Sequence, residues 1–296
     1  MKTNFVLISL VSFPLSLLLA AHSRADNLFV SNTGSNTIEE FSSNGTDLGV
    51  FASSGLNSPS GLAFDGAGNL YVANNGDNTI EKFSPNGTDL GVFANSGMDH
   101  PLGLAFDGAG NLYVANSFSY TIEKFNSSGV GTLFTTDAQY PVALACDGAS
   151  NLYVGNQEAG TIKEFNPSAM RLRVFSSGTG YGIGLACDSA GNLFASSAIG
   201  ITEFTPSVPD RGQGSVFTTA VDEPTGLAFD SAGNLYVKSY NGPIKKFSPN
   251  GSDLGVFANA SSGGLFIAFA PIPEPSTWGL LAVGLIALLP TRHRRA

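Results

Sequence analysis

The residues that could bind a ligand lie in polar segments between short apolar runs. Four of them are tyrosines, and an aromatic ring with a polar tip suits the face of a sugar. Asp222 and Glu223 form an acidic pair that is either a pair of ligands or part of a solvated loop. The candidate binding residues are Tyr120, Tyr140, Tyr181, Tyr240, Asp99, His100, Glu158, Asp222 and Glu223. The sequence predicts no catalytic residue, metal ligand or cofactor, and it has no nucleophile-elbow or phosphate-loop motif.

The elements that must position these residues come from an internal repeat. The phrase Asn-Leu-Tyr-Val-Ala-Asn, or a close variant, begins at Asn27, Asn69, Asn111, Asn151, Asn192 and Asn234, in steps of 42, 42, 40, 41 and 42 residues. A fixed period near 40 residues, made of short apolar runs and Gly/Asn turns, indicates a radial array of small sheets. The predicted fold is therefore all-β, a six-bladed β-propeller with four antiparallel strands in each blade.

The second copy of the repeat shows the four strands of one blade, at 61–65, 70–73, 79–83 and 90–93. Asn86-Gly87 predicts a type I′ hairpin turn, in which both residues have φ > 0. Both faces of the second strand are apolar, as stacked blades require. Ile80 and Phe83 are three residues apart, so their side chains point to opposite faces of a regular strand. Either each packs against one face of the sheet or a bulge intervenes.

This pattern resembles the NHL-repeat propellers, whose blades read roughly Gly-Leu-Ala, then Asp, Gly, a Leu-Tyr-Val strand and an Ile-x-x-Phe strand. The resemblance covers nearly all of residues 27–270 and is found at 61–83, 103–125, 143–165, 184–204 and 226–247. NHL blades often end the second strand in Asp, whereas this chain has Asn32, Asn74, Asn116, Asn156, Ser197 and Ser239 there. Because the repeat starts at a second strand and ends at a first strand, residues 266–269 are expected to pair with residues 28–30 and close the ring.

The loops of a propeller alternate between the two ends of the strands. The turns after the first and third strands barely vary, and Asp65 and its equivalents there are expected to bind local backbone N–H groups. The loops after the second and fourth strands have diverged, and they hold the candidate binding residues. A turn fixed by the scaffold repeats, whereas a binding face is free to differ. The alternative is a set of relaxed loops with no ligand.

Related propellers include gluconolactonase-like hydrolases, which hold a metal near the axis with carboxylates and Asn, and an amidating lyase with histidine-bound zinc. His100 is the only histidine outside the two end segments, so a zinc site of several histidines within one chain is excluded. The residues that enter the first strands include no carboxylate, which disfavours a hard-metal site on the axis. They are Pro59, Ser60, Pro101, Leu102, Pro141, Val142, Ile183, Pro224, Thr225 and Leu265.

The charge of the repeat region excludes one class of partner. Residues 26–270 contain nine lysines and arginines against 22 aspartates and glutamates, a net charge of −13. Such a surface repels nucleic-acid phosphates and favours a neutral or cationic polymer over an acidic one.

Two cysteines, Cys146 and Cys187, replace the phenylalanine of the first strand in adjacent blades. Equivalent positions on stacked sheets lie about 10 Å apart. That separation exceeds the Cα limit for a disulfide of about 7 Å. Two buried free thiols are expected.

Residues 1–25 have the pattern of a secretory signal peptide. Lys2 supplies the positive charge, residues 5–21 are mostly apolar, and Ser23 and Ala25 are the small residues of a cleavage site after Ala25. The alternative is a retained membrane anchor.

Residues 271–296 resemble the PEP-CTERM sorting signal of Gram-negative-type bacteria, with the motif Pro273, Glu274 and Pro275, an apolar run and a basic end. In that family the tail is a substrate for an exosortase, and such proteins often accompany exopolysaccharide production. The 12 residues 278–289 would span about 18 Å as a helix, less than the roughly 30 Å of bilayer hydrocarbon. Transient contact with the inner membrane is therefore expected, with the basic end in the cytoplasm. The alternative is a short anchor that is never cut.

These features predict an exported propeller, at residues 26–270, that acts at the cell envelope or in the extracellular matrix as a binding or scaffold module. Its predicted partners are an exosortase-type enzyme at the tail and an extracellular polysaccharide or protein. The alternative function is that of an extracytoplasmic gluconolactonase-like hydrolase or lyase.

Overall fold

The computed structural model describes residues 26–176, 184–205, 214–260 and 263–271. These residues form 24 strands in six four-stranded sheets, and no helix occurs within these ranges. The described part of the chain accordingly has no helix long and apolar enough to cross a membrane. The predicted signal peptide, Tyr181 and the motif Pro273, Glu274 and Pro275 lie outside the described residues.

Each sheet is one blade, and its strands follow one another from the ring axis outwards. The first blade consists of β24 (Gly264–Phe269), β1 (Leu28–Asn32), β2 (Thr37–Phe41) and β3 (Asp47–Ala52). The second is β4 (Pro59–Phe64), β5 (Leu70–Asn74), β6 (Thr79–Phe83) and β7 (Asp89–Ala94), and the third is β8 (Pro101–Phe106), β9 (Leu112–Asn116), β10 (Thr121–Phe125) and β11 (Gly131–Thr135). The fourth is β12 (Pro141–Cys146), β13 (Leu152–Asn156), β14 (Thr161–Phe165) and β15 (Arg171–Ser176). The fifth is β16 (Leu185–Cys187), β17 (Leu193–Ser197), β18 (Gly200–Phe204) and β19 (Ser215–Thr218), and the sixth is β20 (Pro224–Phe229), β21 (Leu235–Ser239), β22 (Ile244–Phe247) and β23 (Asp253–Ala258).

The ring closes between the two ends of the repeat region. Strand β24 is antiparallel to β1, with Leu28 opposite Phe269 and Val30 opposite Ile267. The innermost strand of the first blade therefore comes from the far end of the chain. This arrangement confirms the predicted fold and its closure, and it pairs the inner edge of β1 with β24.

The core lies between adjacent blades, because both faces of each sheet are covered. Leu70 and Val72 of β5 pack against the first blade, whereas Tyr71 packs against the third. The same division settles the open question in β6: Ile80 faces the third blade and Phe83 faces the first. The pairing of β5 with β6 is regular, and the register shifts lie between β6 and β7.

The inner strands approach each other so closely that the glycines of the repeat have a steric role. A Cβ atom at Gly61 would overlap the carbonyl oxygen of Leu102 in the next blade, and one at Gly184 would overlap that of Thr225. The Gly-Leu-Ala spacing of the repeat thus follows from the narrow radius of the ring.

The Asn86-Gly87 hairpin joins β6 and β7 as predicted, but its type differs. Gly87 has φ of 85°, whereas Asn86 is not in the left-handed region. The N–H of Gly87 donates to the carbonyl of Ser84 and the N–H of Ser84 to the carbonyl of Thr88, both at 2.9 Å. This is a type I turn followed by a left-handed glycine. The type I′ prediction is wrong because Pro85 fixes the negative φ that the first central position of a type I turn requires.

Candidate functional site

The loops after the second and fourth strands share one end of the disc, which we call the diverged face. In four blades, the residue after the second strand donates its N–H to the carbonyl of the residue just before the first strand. The pairs are Asn75 to Ser58 (3.2 Å), Ser117 to His100 (3.2 Å), Gln157 to Tyr140 (3.1 Å) and Tyr240 to Glu223 (3.0 Å). Each loop pair is thereby held on the same face.

The four accepting residues share an unusual backbone conformation. Ser58, His100, Tyr140 and Glu223 have φ of 49°, 51°, 51° and 44°. The left-handed region is costly for residues other than Gly, Asn and Asp, and such strain is concentrated at functional sites. A fixed backbone therefore presents a different side chain in each of these blades.

Aromatic side chains meet on the third and fourth blades and form a cluster of His100, Phe118, Tyr120 and Tyr140, which we call the aromatic cluster. The rings of His100 and Phe118 stack with centroids 3.9 Å apart. Phe118 lies 6.0 Å from Tyr140, and Tyr120 lies 6.5 Å from Tyr140. Phe118 and Tyr120 remain 55% and 42% exposed. The cluster is thus an apolar surface open to solvent and made of rings in mutual contact.

A carboxylate lies at each end of the aromatic cluster. His100 Nδ1 and Asp99 Oδ1 are 3.1 Å apart. Glu158 lies near the Tyr120 hydroxyl, and its negative charge raises the pKa of Tyr120. Five of the predicted binding residues, Asp99, His100, Tyr120, Tyr140 and Glu158, therefore come together in space.

The asparagines that end the second strands are part of the scaffold beneath these loops. Asn116 accepts the N–H of Asp99 at 3.1 Å and donates from Nδ2 to the carbonyl of Gly97 at 2.8 Å. Asn74 forms the same two bonds in the second blade, at 3.1 and 2.7 Å. An ionised Asp could accept but not donate. In the second and third blades, the departure from the NHL pattern is thus explained by the need for an amide.

The remaining described candidates, Asp222, Glu223 and Tyr240, lie on the sixth blade, across the ring from the third. They border a pocket of 460 Å³ that also contacts Ser197 and Thr225. Asp222 and Glu223 also border a second pocket of 610 Å³. The structure thus divides the predicted residues into two groups on the diverged face.

A buried lysine that is not among the predicted binding residues supports the sixth-blade loop. Lys238 Nζ donates to the carbonyls of Ser239 and Gly242, at 2.6 and 2.9 Å. Burial lowers the pKa of Lys238. The ammonium group holds the loop backbone below Tyr240.

Phe118 was also missing from the predicted binding residues. A signal for it exists in the repeat, because the equivalent positions of the first and second blades are Gly34 and Gly76. The exchange of a glycine for a large aromatic residue on a diverged loop is a signal that the sequence offers for Phe118.

On the opposite face, aspartate side chains bond to the backbone of their own turns. Asp65 Oδ1 accepts the N–H groups of Ala67 and Asn69, at 3.0 and 2.8 Å, as expected for the aspartates of these turns.

Cys146 and Cys187 are free and half-buried, which confirms the absence of a disulfide between them. Burial raises the pKa of both thiols, that of Cys187 to about 12, so both remain protonated and poorly nucleophilic.

Comparisons with known proteins bear on the tail and on the fold. The PEP-CTERM protein-sorting motif matches residues 271–295. The nidogen/laminin complex structure aligns with a TM-score of 0.73 at 18% identity, over 83% of this chain and 98% of the other. A streptogramin B lyase structure aligns with a TM-score of 0.65 at 14% identity, over 82% and 84%. A catalytically inactive histidine-to-alanine variant of virginiamycin B lyase from Staphylococcus aureus, with quinupristin, aligns with a TM-score of 0.59 at 15% identity, over 86% and 87%.

The comparison with curated protein sequences gave no match. The structural likenesses, all at low identity, establish the fold, while the tail motif indicates the destination of the protein. The chain is therefore a six-bladed β-propeller with a C-terminal PEP-CTERM sorting motif, which marks it for export to the cell envelope.

Proposed function

We propose that this exported propeller is a binding module and that its aromatic cluster contacts an extracellular polysaccharide. The observation that carries the proposal is the contact of His100, Phe118 and Tyr140 across two blades, with Phe118 more than half exposed. The first and second blades have Gly34, Gly76 and Ser58 at positions equivalent to those of the cluster. The scaffold therefore does not require these rings.

The chemistry of the cluster suits a saccharide. Rigid aromatic rings offer apolar area at little conformational cost, and the Tyr hydroxyls can exchange hydrogen bonds with sugar hydroxyls. Asp99 and Glu158 add acceptors at the two ends of the surface. The resemblance of the tail to sorting signals that accompany exopolysaccharide production supports the same class of ligand.

The test replaces each ring by the residue that another blade has at the same position. The triple variant Phe118→Gly, Tyr120→Asn, Tyr140→Ser copies Gly34, Asn36 and Ser58. Purified full-length protein is sedimented with insoluble cellulose, chitin or chitosan, and the fraction bound is measured. We expect the parent to be retained on at least one polymer and the triple variant to lose that retention, with a thermal melt as cooperative as that of the parent.

The matched control is Leu90→Ala, Val92→Ala, which removes two exposed apolar side chains from the outer strand β7. This variant is expected to bind like the parent, because the perimeter lies away from the diverged face. Retention of the triple variant at the parental level would overturn the proposal, as would equal loss of binding in the control.

A second candidate function is favoured by a separate observation. His100 is the one histidine in the part of the chain that the structure describes, and its Nδ1 atom is bonded to Asp99. Structures of a streptogramin B lyase and of a virginiamycin B lyase share the fold, and the virginiamycin B lyase variant that lacks a histidine is catalytically inactive. A lyase with His100 as general base would cleave quinupristin, and His100→Gln would abolish that cleavage. Mass spectrometry of quinupristin incubated with the parent tests this function directly.

A further inference from the structure

We infer that the aromatic cluster selects sugars that carry a free amine, so that its ligand is a partly or fully N-deacetylated polysaccharide. This inference rests on the proposed polysaccharide-binding function and specifies its substrate class. It comes from the charged side chains around the cluster, because the rings alone would not select a sugar with a free amine.

Two carboxylates flank the cluster, and His100 is a basic side chain within it. Asp99, at 43% side-chain exposure, lies beside His100, and the exposed Glu158 lies beside Tyr120. The domain that surrounds them has a net charge of −13. An anionic polymer would be repelled, whereas a cationic one would be attracted at long range and paired at short range.

The basic residues described in the third and fourth blades are all engaged in ion pairs. Lys163 and Arg171 both bind Asp137, each at 2.7 Å. Lys124 pairs with Asp107 at 3.3 Å, and Arg173 with Glu164 at 3.1 Å. None of these four cations is paired with Asp99 or Glu158 in the described contacts, whereas Asp99 Oδ1 lies 3.1 Å from His100 Nδ1. Glu158 is therefore the main acceptor for a ligand ammonium, and Asp99 is shared with His100.

An amino sugar matches this arrangement in two ways at once. Its ring face lies on the exposed rings of Phe118 and Tyr120, and its ammonium group donates charge-assisted hydrogen bonds to Glu158 or Asp99. The ammonium also gains from nearby aromatic faces. An N-acetyl group removes the positive charge and leaves a single N–H donor, so the same sugar loses the ionic part of the interaction.

The geometry favours a saccharide over a lysine-rich peptide. Aromatic sites for alkyl-ammonium groups surround the cation with several rings. Here the planes of the Phe118 and Tyr140 rings are tilted by 40° with centroids 6.0 Å apart, and two of the four rings of the cluster are exposed to solvent. Such an open surface contacts a flat ring better than a single extended side chain.

The experiment compares two oligosaccharides of equal length, hexa-glucosamine and hexa-N-acetylglucosamine, by calorimetric titration into the full-length protein at pH 6. We expect the amine form to bind about tenfold more tightly, the scale of one charge-assisted hydrogen bond. The double variant Glu158→Gln, Asp99→Asn is expected to bring the two affinities within about twofold.

The matched control is Asp77→Asn, which removes an exposed carboxylate from the loop of the second blade on the same face. It is expected to keep the tenfold preference.

The selectivity would be overturned, while the binding function stands, if the parent binds both oligomers equally and the triple ring variant binds neither. Binding of both oligomers by the ring variant at the parental level would instead overturn the binding function. A preference that survives the double variant, or hexa-lysine that competes as well as hexa-glucosamine, would also overturn the selectivity.

Discussion

The backbone N–H of His100 donates a hydrogen bond of 2.7 Å to Oδ1 of Asn78 in the preceding blade. Ser58 and Asn36 form the same bond one blade earlier, at 2.8 Å. At the next interface the residue equivalent to Asn78 is Tyr120, and its ring meets that of Tyr140. At one interface of the propeller, the exposed ring of Tyr120 thus takes the place of an asparagine side chain that bonds to the backbone of the next blade.

We expect Tyr120→Asn to stabilise the protein by about 0.5–1 kcal/mol and to weaken polysaccharide binding. Tyr120 has φ of 58°, a conformation that Asn tolerates better than Tyr. An Asn there could also accept the N–H of residue 140, as Asn78 does for His100. Urea denaturation gives the change in the free energy of unfolding.

The reverse exchange, Asn78→Tyr, is the control for Tyr120→Asn. It removes the bond to the His100 N–H and places a bulky residue at φ of 60°. A loss of about 1–2 kcal/mol is expected. A Tyr120→Asn protein less stable than the parent would show that the ring contacts of Tyr120 outweigh the backbone strain.

The acid pair of the second blade makes stability depend on pH. Burial raises the pKa of Glu81 from 4.5 to about 7, and the neighbouring Asp89 carboxylate adds to the shift. An acid with a raised folded-state pKa contributes stability below its unfolded pKa and loses that contribution as pH rises through the folded pKa. We expect Glu81→Gln to match the parent near pH 4.5 and to exceed it by about 2 kcal/mol at pH 8. Denaturant melts across this range test the prediction.

The sixth blade offers a comparison for this acid pair. The residue equivalent to Glu81 there is Lys245, which pairs with Asp253 at 2.9 Å and donates to the carbonyl of Ala220 at 2.8 Å. Glu81→Lys is therefore expected to form an ion pair with Asp89 and also to remove the loss of stability between pH 4.5 and 7. A parent whose stability is flat over that window would contradict the assignment to Glu81.

Ala169 occupies a turn position that elsewhere belongs to glycine. It has φ of 62°, whereas its equivalents Gly87 and Gly129 have φ of 85° and 77°. The left-handed backbone conformation costs alanine about 1 kcal/mol. Ala169→Gly is therefore expected to raise the free energy of unfolding by about 0.5–1 kcal/mol.

The matched control for Ala169→Gly is Gly129→Ala. A Cβ at Gly129 would lie 2.5 Å from the carbonyl oxygen of Phe93 in the preceding blade, so both strain and a clash are expected. We expect a loss of at least about 1 kcal/mol. A neutral Gly129→Ala would show that this turn can shift away from its neighbour.

The fold was predictable because each blade repeats the same physical requirements. The two apolar faces of Leu70-Tyr71-Val72-Ala73 indicate stacked sheets, and the first-strand position of residues 266–269 implies closure. The turn type at Asn86-Gly87 was not predicted, because Pro85 at the preceding position overrides the usual preference of that pair.

The placement of the candidate residues on one face was predictable, but their grouping was not. Sequence divergence places the candidate residues on one set of loops, yet it cannot tell that Tyr120 and Tyr140 touch while Tyr240 lies across the ring. That distinction depends on the order of the blades. The role of Asn116 was likewise hidden, because its two hydrogen bonds go to a loop 17 to 19 residues earlier in the chain.

Trp278 provides a test of tail processing, because it is the only tryptophan and follows the motif Pro273, Glu274 and Pro275. If an exosortase-type enzyme cuts the chain near that motif, the mature protein contains no tryptophan and emits only tyrosine-like fluorescence. Protein recovered from the native host is therefore expected to lack tryptophan emission and to have an intact mass that ends before Trp278. As a control, replacement of Pro273, Glu274 and Pro275 by alanine is expected to leave Trp278 in place and the protein in the membrane fraction. Native protein whose mass includes Trp278 would show that the tail is instead a retained anchor.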